Sequence, residues 1–143
     1  MKTNAAIFGA VAAIAILAAS CSAAMGSPKQ TTIGVAYSEF SEGKDISKAV
    51  TIAEGSDLIV KLAASPSTGY GWTQASIGTP AILTQIESKY VAPDTNALGA
   101  AGTQVWTFRA SEKGKTTVKM DYSRPWEGGE KAEWTFQLTV TVQ

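Results

Sequence analysis

Apolar and polar side chains alternate along most of the chain from Thr31 onward, in segments separated by clusters of Gly, Pro, Ser and Asp. This period of two predicts β-strands, because successive side chains of a strand point to opposite faces. The alternation is clearest near the C-terminus, where one face carries Trp134, Phe136, Leu138, Val140 and Val142. Strands are predicted at 32–40, 49–53, 57–63, 71–76, 82–91, 103–110, 116–122 and 133–142.

The spacing of these segments predicts the fold class. No segment shows a convincing helical period, and about eight short strands in one domain of about 110 residues favour an all-β, immunoglobulin-like β-sandwich over a barrel. The turn Ser111–Gly114 between two alternating segments further predicts a β-hairpin. A chain of 143 residues with 45% hydrophobic content supplies one core, so residues 31–143 are predicted to form a single domain.

The amino-acid composition excludes several classes of function. Lys plus Arg and Asp plus Glu each number 12, so no net field favours nucleic acid or an anionic membrane surface as a partner. The chain contains no histidine and a single cysteine, Cys21. These absences exclude Ser-His and Cys-His nucleophile pairs, zinc sites of the usual kind and an internal disulfide. No metal or cofactor is expected, and any partner must be recognised by shape and local contacts.

Residues 1–20 have the pattern of a signal peptide. One lysine precedes an apolar run over 5–19, which is shorter than the roughly 20 residues that a membrane-spanning helix needs. The small residues before Cys21 resemble a bacterial lipobox, which would make Cys21 a lipid-attachment site followed by a flexible stalk to residue 30. The alternative is ordinary cleavage after Ala24 and free secretion. Both alternatives predict export, with membrane contact only through the lipid anchor.

The segment 65–72 has the composition of a shaped loop. Pro66 fixes one backbone angle, Gly69 allows a left-handed conformation, and the aromatic residues Tyr70 and Trp72 follow the tip. Turn chemistry with two aromatics packed in the core explains the same residues.

Two later segments are equally unusual. Residues 98–103 carry almost no large side chains after Leu98, so they either present backbone groups to another surface or form a slack connection. Residues 122–130 contain an Arg-Pro-Trp tip followed by two glycines. Trp and Arg are enriched at binding hot spots, although the indole of Trp126 can also fold back over a sheet edge.

The three segments together resemble the chagasin family of papain-like cysteine protease inhibitors, over residues 32–142. The family pattern is Asn-Pro-Thr-Thr-Gly-aromatic, then Gly-x-Gly-Gly, then Arg-Pro-Trp. This chain has Ser65-Pro66-Ser67-Thr68-Gly69-Tyr70, Gly99-Ala100-Ala101-Gly102 and Arg124-Pro125-Trp126. It departs from the pattern at Ser65, Ser67 and Ala101, and Ala101 is expected to cost backbone freedom in the second segment.

The resemblance implies a reversible, monomeric inhibitor that is not an enzyme. The first segment is expected to enter the protease cleft, with Ser67 and Thr68 near the catalytic cysteine and histidine, while the other two clamp either side. Tyr70 and Trp72 would brace the first segment, and Trp126 would anchor the third. The expected protease-binding residues are Pro66, Ser67, Thr68, Gly69, Tyr70, Gly99, Ala100, Ala101, Gly102, Arg124, Pro125 and Trp126.

Three other classes of protein remain open from the residues alone. A carbohydrate-binding or adhesion module would use Tyr70, Trp72 and Trp126 as stacking platforms. An enzyme would use carboxylates drawn from Asp121, Glu127 and Glu130, which lack a clustered context that would tune their pKa values. A structural envelope lipoprotein would leave the three motifs without a role.

Overall fold

Nine β-strands and one short helix make up the part of the chain that the computed structural model describes, residues 26–143. The elements are β1 (Gln30–Val35), α1 (Tyr37–Glu42), β2 (Asp45–Ile52), β3 (Asp57–Ala64), β4 (Gly71–Trp72), β5 (Ser76–Ile77), β6 (Leu83–Val91), β7 (Gly102–Ala110), β8 (Gly114–Ser123) and β9 (Trp134–Val142).

The strands form two sheets. One has the order β1-β3-β7-β6, and the other has the order β2-β9-β8-β4 with β5 also paired to β8. The pairs β1–β3 and β2–β9 are parallel, and the other pairs are antiparallel. The predicted all-β, immunoglobulin-like sandwich is confirmed.

The core lies between the two sheets and follows the alternation of the sequence. In β9 every second residue is buried, beginning with Trp134. Phe108 of β7 and Phe136 of β9 are among the largest side chains with almost no exposed surface. Within residues 26–143, no helix is long and apolar enough to cross a membrane.

The helix α1 corrects the prediction of a continuous strand over 32–40 and of a chain without helix. β1 ends at Val35, and the Glu39 carboxylate accepts a hydrogen bond from the Ala36 N–H (3.1 Å), which caps the first turn of α1. Phe40 points into the core and is fully buried. A helix of six residues is too short to display a 3.6-residue period, so the pattern of the sequence predicts a strand there instead.

The predicted hairpin across residues 111–114 is wrong. β7 and β8 belong to different sheets, and the connection between them crosses from one sheet to the other. Alternation reveals that each strand has a buried face, but it does not reveal which sheet the strand joins. The strand predicted at 71–76 is also divided, into β4 and β5, while β2 begins at Asp45 rather than near residue 49.

Strand pairing brings three connections to one end of the sandwich. They are loop 1 (65–70), loop 2 (92–101) and loop 3 (124–133), which follow β3, β6 and β8. The register pairs Ala64 with Gly102 in one sheet and Gly71 with Ser123 in the other. The ends of these strands therefore carry all three loops on the same edge, which we call the loop edge.

Candidate functional site

The tip of loop 1 is a single 3₁₀ turn, Pro66–Thr68, that ends at Gly69 in the left-handed conformation with φ of 83°. The Thr68 N–H donates to the Ser65 carbonyl (3.0 Å), and the Thr68 hydroxyl donates to the same oxygen (2.6 Å). Pro66, Ser67 and Thr68 are exposed. The tip is therefore shaped by bonds within loop 1 and presented to solvent.

The base of loop 1 is fixed to the core. The Ser65 N–H donates to the hydroxyl of Tyr122 (2.8 Å), which is almost fully buried, and burial raises the pKa of that phenol. The Trp72 indole N–H donates to the Ala63 carbonyl (3.0 Å). Tyr70 and Trp72 both pack against the core. The segment 65–72 therefore combines the two alternatives from the sequence: its aromatic residues face the core, and its tip is exposed.

A column of aromatic rings supports the loop edge from below. Tyr70 stacks on Tyr122 with ring centroids 5.4 Å apart, and Tyr122 stacks on Trp134 at 4.7 Å. Trp134 stacks in turn on Phe40 of α1 at 4.9 Å. We call these four residues the aromatic column. It joins loop 1, both sides of loop 3 and the helix into one rigid support.

Arg124 joins loop 3 to loop 1. Its guanidinium lies 4.5 Å from the centre of the Tyr70 ring, at the top of the aromatic column, and one terminal nitrogen donates to the Thr68 carbonyl (3.4 Å). Its Nε is buried and has no hydrogen-bond partner within residues 26–143. Arg124 thus holds the tip of loop 1 from the side of loop 3.

Trp126 lies across loop 1 and does not fold over a sheet edge. A Cβ atom added to Gly69 would lie 2.5 Å from Cη2 of the indole, so the ring sits directly on the glycine. The side chain remains 51% exposed. Trp126 therefore offers about half of its surface to a partner, while the contact of its other half with loop 1 holds the ring in place.

Lys131 stabilises the loop 3 turn and carried no signal in the sequence. Its ammonium donates to the carbonyls of Arg124 (2.5 Å) and Trp126 (3.0 Å). The Arg124 N–H donates to the Glu130 carbonyl (2.8 Å), and the Gly129 N–H donates to the Trp126 carbonyl (3.0 Å). These bonds close loop 3 on itself before any partner binds.

Loop 2 ends in a tight turn at Ala97–Ala100. The Ala100 N–H donates to the Ala97 carbonyl (3.2 Å), and Gly99 has a φ of 80°. Leu98 at the tip is fully exposed and is not among the site residues predicted from the sequence. Loop 2 therefore presents one exposed apolar side chain beside a nearly bare backbone.

Of the adjacent residues Ala101 and Gly102, the backbone requires glycine only at the second. A Cβ on Gly102 would overlap the Tyr90 hydroxyl and lie 2.5 Å from the Val91 carbonyl, so this position requires glycine. Ala132 is the only non-glycine residue with positive φ in the described part of the chain. The expected conformational cost at Ala101 is therefore absent.

The carboxylate of Glu130 is engaged within the site. It accepts a hydrogen bond from the Tyr70 hydroxyl, which lowers the pKa of Glu130 and raises the pKa of Tyr70. Residues 26–143 contain no cluster of three potential metal ligands. Glu130 thus has a structural partner at the top of the aromatic column, where it helps to orient Tyr70.

The pKa of Glu130 gives a testable pH dependence. Because its folded pKa lies below the usual value of 4.5, the stabilisation is fully present above that value and disappears as pH falls through the folded pKa. We expect Glu130→Gln to lose part of the acid-induced decrease in melting temperature, whereas Glu127→Gln, a neighbouring exposed carboxylate, keeps it. Melting curves between about pH 3 and 7 test this; identical acid profiles for wild type and Glu130→Gln would contradict it.

The fold and the loop edge together define a binding domain that presents preformed loops from one end of a β-sandwich. A family model described as chagasin family peptidase inhibitor I42 matches residues 51–140. The chain is 32% identical over 84 residues to chagasin of Trypanosoma cruzi, covering 55% of this chain and 74% of chagasin. The chain belongs to the chagasin family of peptidase inhibitors.

Solved structures share the fold. The crystal structure of the cysteine protease inhibitor EhICP2 from Entamoeba histolytica has a TM-score of 0.64 and 20% identity, covering 82% of this chain and all of that one. PbICP-C, solved in complex with falcipain-2, has a TM-score of 0.54 and 17% identity, covering 80% of this chain and 99% of that one. These structures confirm the fold, and the family match confirms the predicted class, a peptidase inhibitor that is not itself an enzyme.

Proposed function

We propose that this protein blocks the active-site cleft of papain-like cysteine proteases with the loop edge, reversibly and without being cut. The observation that carries the proposal is the convergence of three internally bonded loops at one end of the sandwich. Loops that hold their shape before association lose little entropy on binding. The structure of PbICP-C with falcipain-2 supports a protease as the partner.

Loop 1 is the element that enters the cleft in this proposal. Ser67 and Thr68 are its exposed tip, and they would lie nearest the catalytic cysteine and histidine. The 3₁₀ turn at Pro66–Thr68 keeps the backbone from becoming extended. A protease that requires an extended peptide would therefore find the tip in a form it does not cleave.

Loops 2 and 3 would contact the walls on either side. Leu98, together with the backbone of 99–101, supplies an apolar side chain and amide groups that a partner can approach closely, whereas Gly102 is buried in β7. Trp126 supplies a large aromatic surface, and Pro125 is exposed beside it. Arg124 acts mainly by holding loops 1 and 3 together, since its guanidinium faces Tyr70 and the Thr68 carbonyl.

Protection of the protease's catalytic cysteine from alkylation tests whether the inhibitor occupies the active-site cleft. Papain is saturated with the purified protein and then treated with iodoacetamide. We expect alkylation of the catalytic thiol to slow in proportion to occupancy, while mass spectrometry finds the inhibitor chain intact. Unchanged alkylation in a complex that no longer hydrolyses peptides would place the block outside the cleft and overturn the proposal.

We also propose that the protein is exported and lipidated at Cys21. Residues 1–25 lie outside the described part of the structure, so the support is the apolar run, the small residues before Cys21 and the absence of any other cysteine. The membrane would then hold the domain through the lipid alone.

Metabolic labelling with a radioactive fatty acid tests the anchor. Wild-type protein is expected to carry label and to sediment with membranes, and Cys21→Ser is expected to lose both properties completely. Since Cys21 is the only cysteine, loss of label identifies the attachment site. An unlabelled wild-type protein whose N-terminus is Met25 would instead establish ordinary cleavage after Ala24.

A further inference from the structure

The helix α1 lies on the loop edge although it belongs to none of the three loops. β1 runs parallel to β3, with Val35 opposite Leu62, so the end of β1 meets the end from which loop 1 starts. β2 begins beside the start of β9, with Asp45 opposite Thr135. The connection between β1 and β2 is therefore at the same end, outside the segment 51–140 that the family model matches.

The position of α1 is fixed by the core. Phe40 is fully buried and stacks on Trp134 with nearly parallel rings, 11° apart. The Glu39 carboxylate caps the helix at Ala36 and pairs with the Lys48 ammonium (3.2 Å). The helix is consequently held in place before any partner arrives, as the loops are.

Tyr37 is the exposed aromatic residue of this helix. Its ring meets Trp134 edge-on, with centroids 5.2 Å apart and planes at 82°, yet 51% of the residue is exposed. Tyr37 also forms one wall of an open groove of about 330 Å³ whose other walls come from loops 1 and 2. The groove lining is Tyr37, Ser65, Ser67, Thr68, Gly99 and Ala101.

We infer that Tyr37 is a fourth contact of the loop edge with the papain-like protease, on the side of loop 1 that faces loop 2. This inference rests on the proposed function. The occupant of the groove is a surface segment of the bound protease, because the groove is continuous with the exposed tip of loop 1. A tyrosine ring offers a large contact area and loses little side-chain entropy, which suits a preformed edge.

Inhibition constants for three variants test the inference with papain. We expect Tyr37→Ala to raise the constant about tenfold through faster dissociation, and Tyr37→Phe, which keeps the ring, to change it less than about threefold. Ile86→Ala is the matched control, because Ile86 is 52% exposed but lies on β6 away from its loop end. It is expected to inhibit like wild type.

The outcomes separate this inference from the proposed function. If the wild-type protein and the Tyr37→Ala variant inhibit papain equally well, only the inference of a fourth contact is overturned. Wild-type protein that fails to inhibit overturns the proposed function itself, and the inference falls with it.

Hydroxyl-radical footprinting of the wild-type protein provides a second test that does not depend on a variant folding. Oxidation of Tyr37 is expected to fall when papain is added, and oxidation of Ile86 is expected to stay constant. Tyr37 that remains equally reactive in the complex would overturn the inference. If oxidation of Tyr37 already falls as the concentration of the protein alone is raised, the surface binds a second copy of the chain. That result would also overturn the inference.

Discussion

Replacing Trp126 with alanine is expected to raise the inhibition constant for papain by about 30-fold or more, which corresponds to about 2 kcal/mol of binding free energy. The indole is half exposed on the loop edge, and its remaining surface rests on Gly69 of loop 1. The substitution therefore removes a contact surface and also uncovers the neighbouring loop. Both effects act mainly on dissociation, because the loss of short-range contacts changes the off-rate more than the on-rate.

Titration of papain with the Trp126→Ala protein, together with dissociation kinetics, measures this effect. Trp126→Phe is the matched variant, since it keeps an aromatic ring on Gly69 and is expected to retain much of the affinity. Melting temperatures of all three proteins are expected to be similar, because Trp126 contributes no fully buried surface to the core. An unchanged inhibition constant for Trp126→Ala would remove the anchor role of this residue.

Gly69→Ala is expected to raise the inhibition constant by about tenfold or more. The residue has a φ of 83°, where a side chain costs about 1–2 kcal/mol. The added Cβ would lie 2.5 Å from the Trp126 ring, and that ring would have to move. One methyl group thus disturbs the tip of loop 1 and the anchor of loop 3 at the same time.

Gly71→Ala is the matched control in the same segment. A Cβ on Gly71 meets no atom within 4 Å, and this glycine is not among those with positive φ. It is expected to stay within about threefold of wild type. Gly69→Ala is also expected to cost less in a Trp126→Ala background, because the clashing ring is gone and the two effects are not additive. Equal, small effects of Gly69→Ala and Gly71→Ala would contradict the described contact.

The sequence was sufficient for features that depend on local pattern. The alternation from Trp134 to Val142 predicted β9 almost to the residue, because a strand with one buried face has a period of two. Pro66 and the two glycines of 65–72 likewise indicated a shaped loop, and Gly69 does adopt the left-handed conformation that its presence suggested.

Features that depend on tertiary contacts could not be predicted from the local sequence pattern. The helix α1 is specified by the burial of Phe40 against Trp134, two residues far apart in the chain. The placement of β7 and β8 in different sheets depends on pairing partners rather than on their own alternation. Lys131 and Leu98 acquire significance only once the folded loops show what they bond or expose.

The structure also weakens the alternative of a carbohydrate-binding or adhesion module. Of the three proposed stacking residues, Tyr70 lies beneath the Arg124 guanidinium, and Trp72 packs against the core with its indole N–H bonded to Ala63. Trp126 alone presents a substantially exposed ring among these three. The platform of three rings that this alternative requires is therefore not formed.

Inhibition of a papain-like protease is tested by titrating papain, assayed on a small fluorogenic peptide, with the purified protein. We expect activity to fall linearly to zero at one inhibitor per protease and to return as the complex dissociates on dilution, with the inhibitor chain uncut. Full papain activity in the presence of a micromolar excess of this protein, with its fold confirmed by circular dichroism, would contradict the proposed inhibition of papain-like proteases.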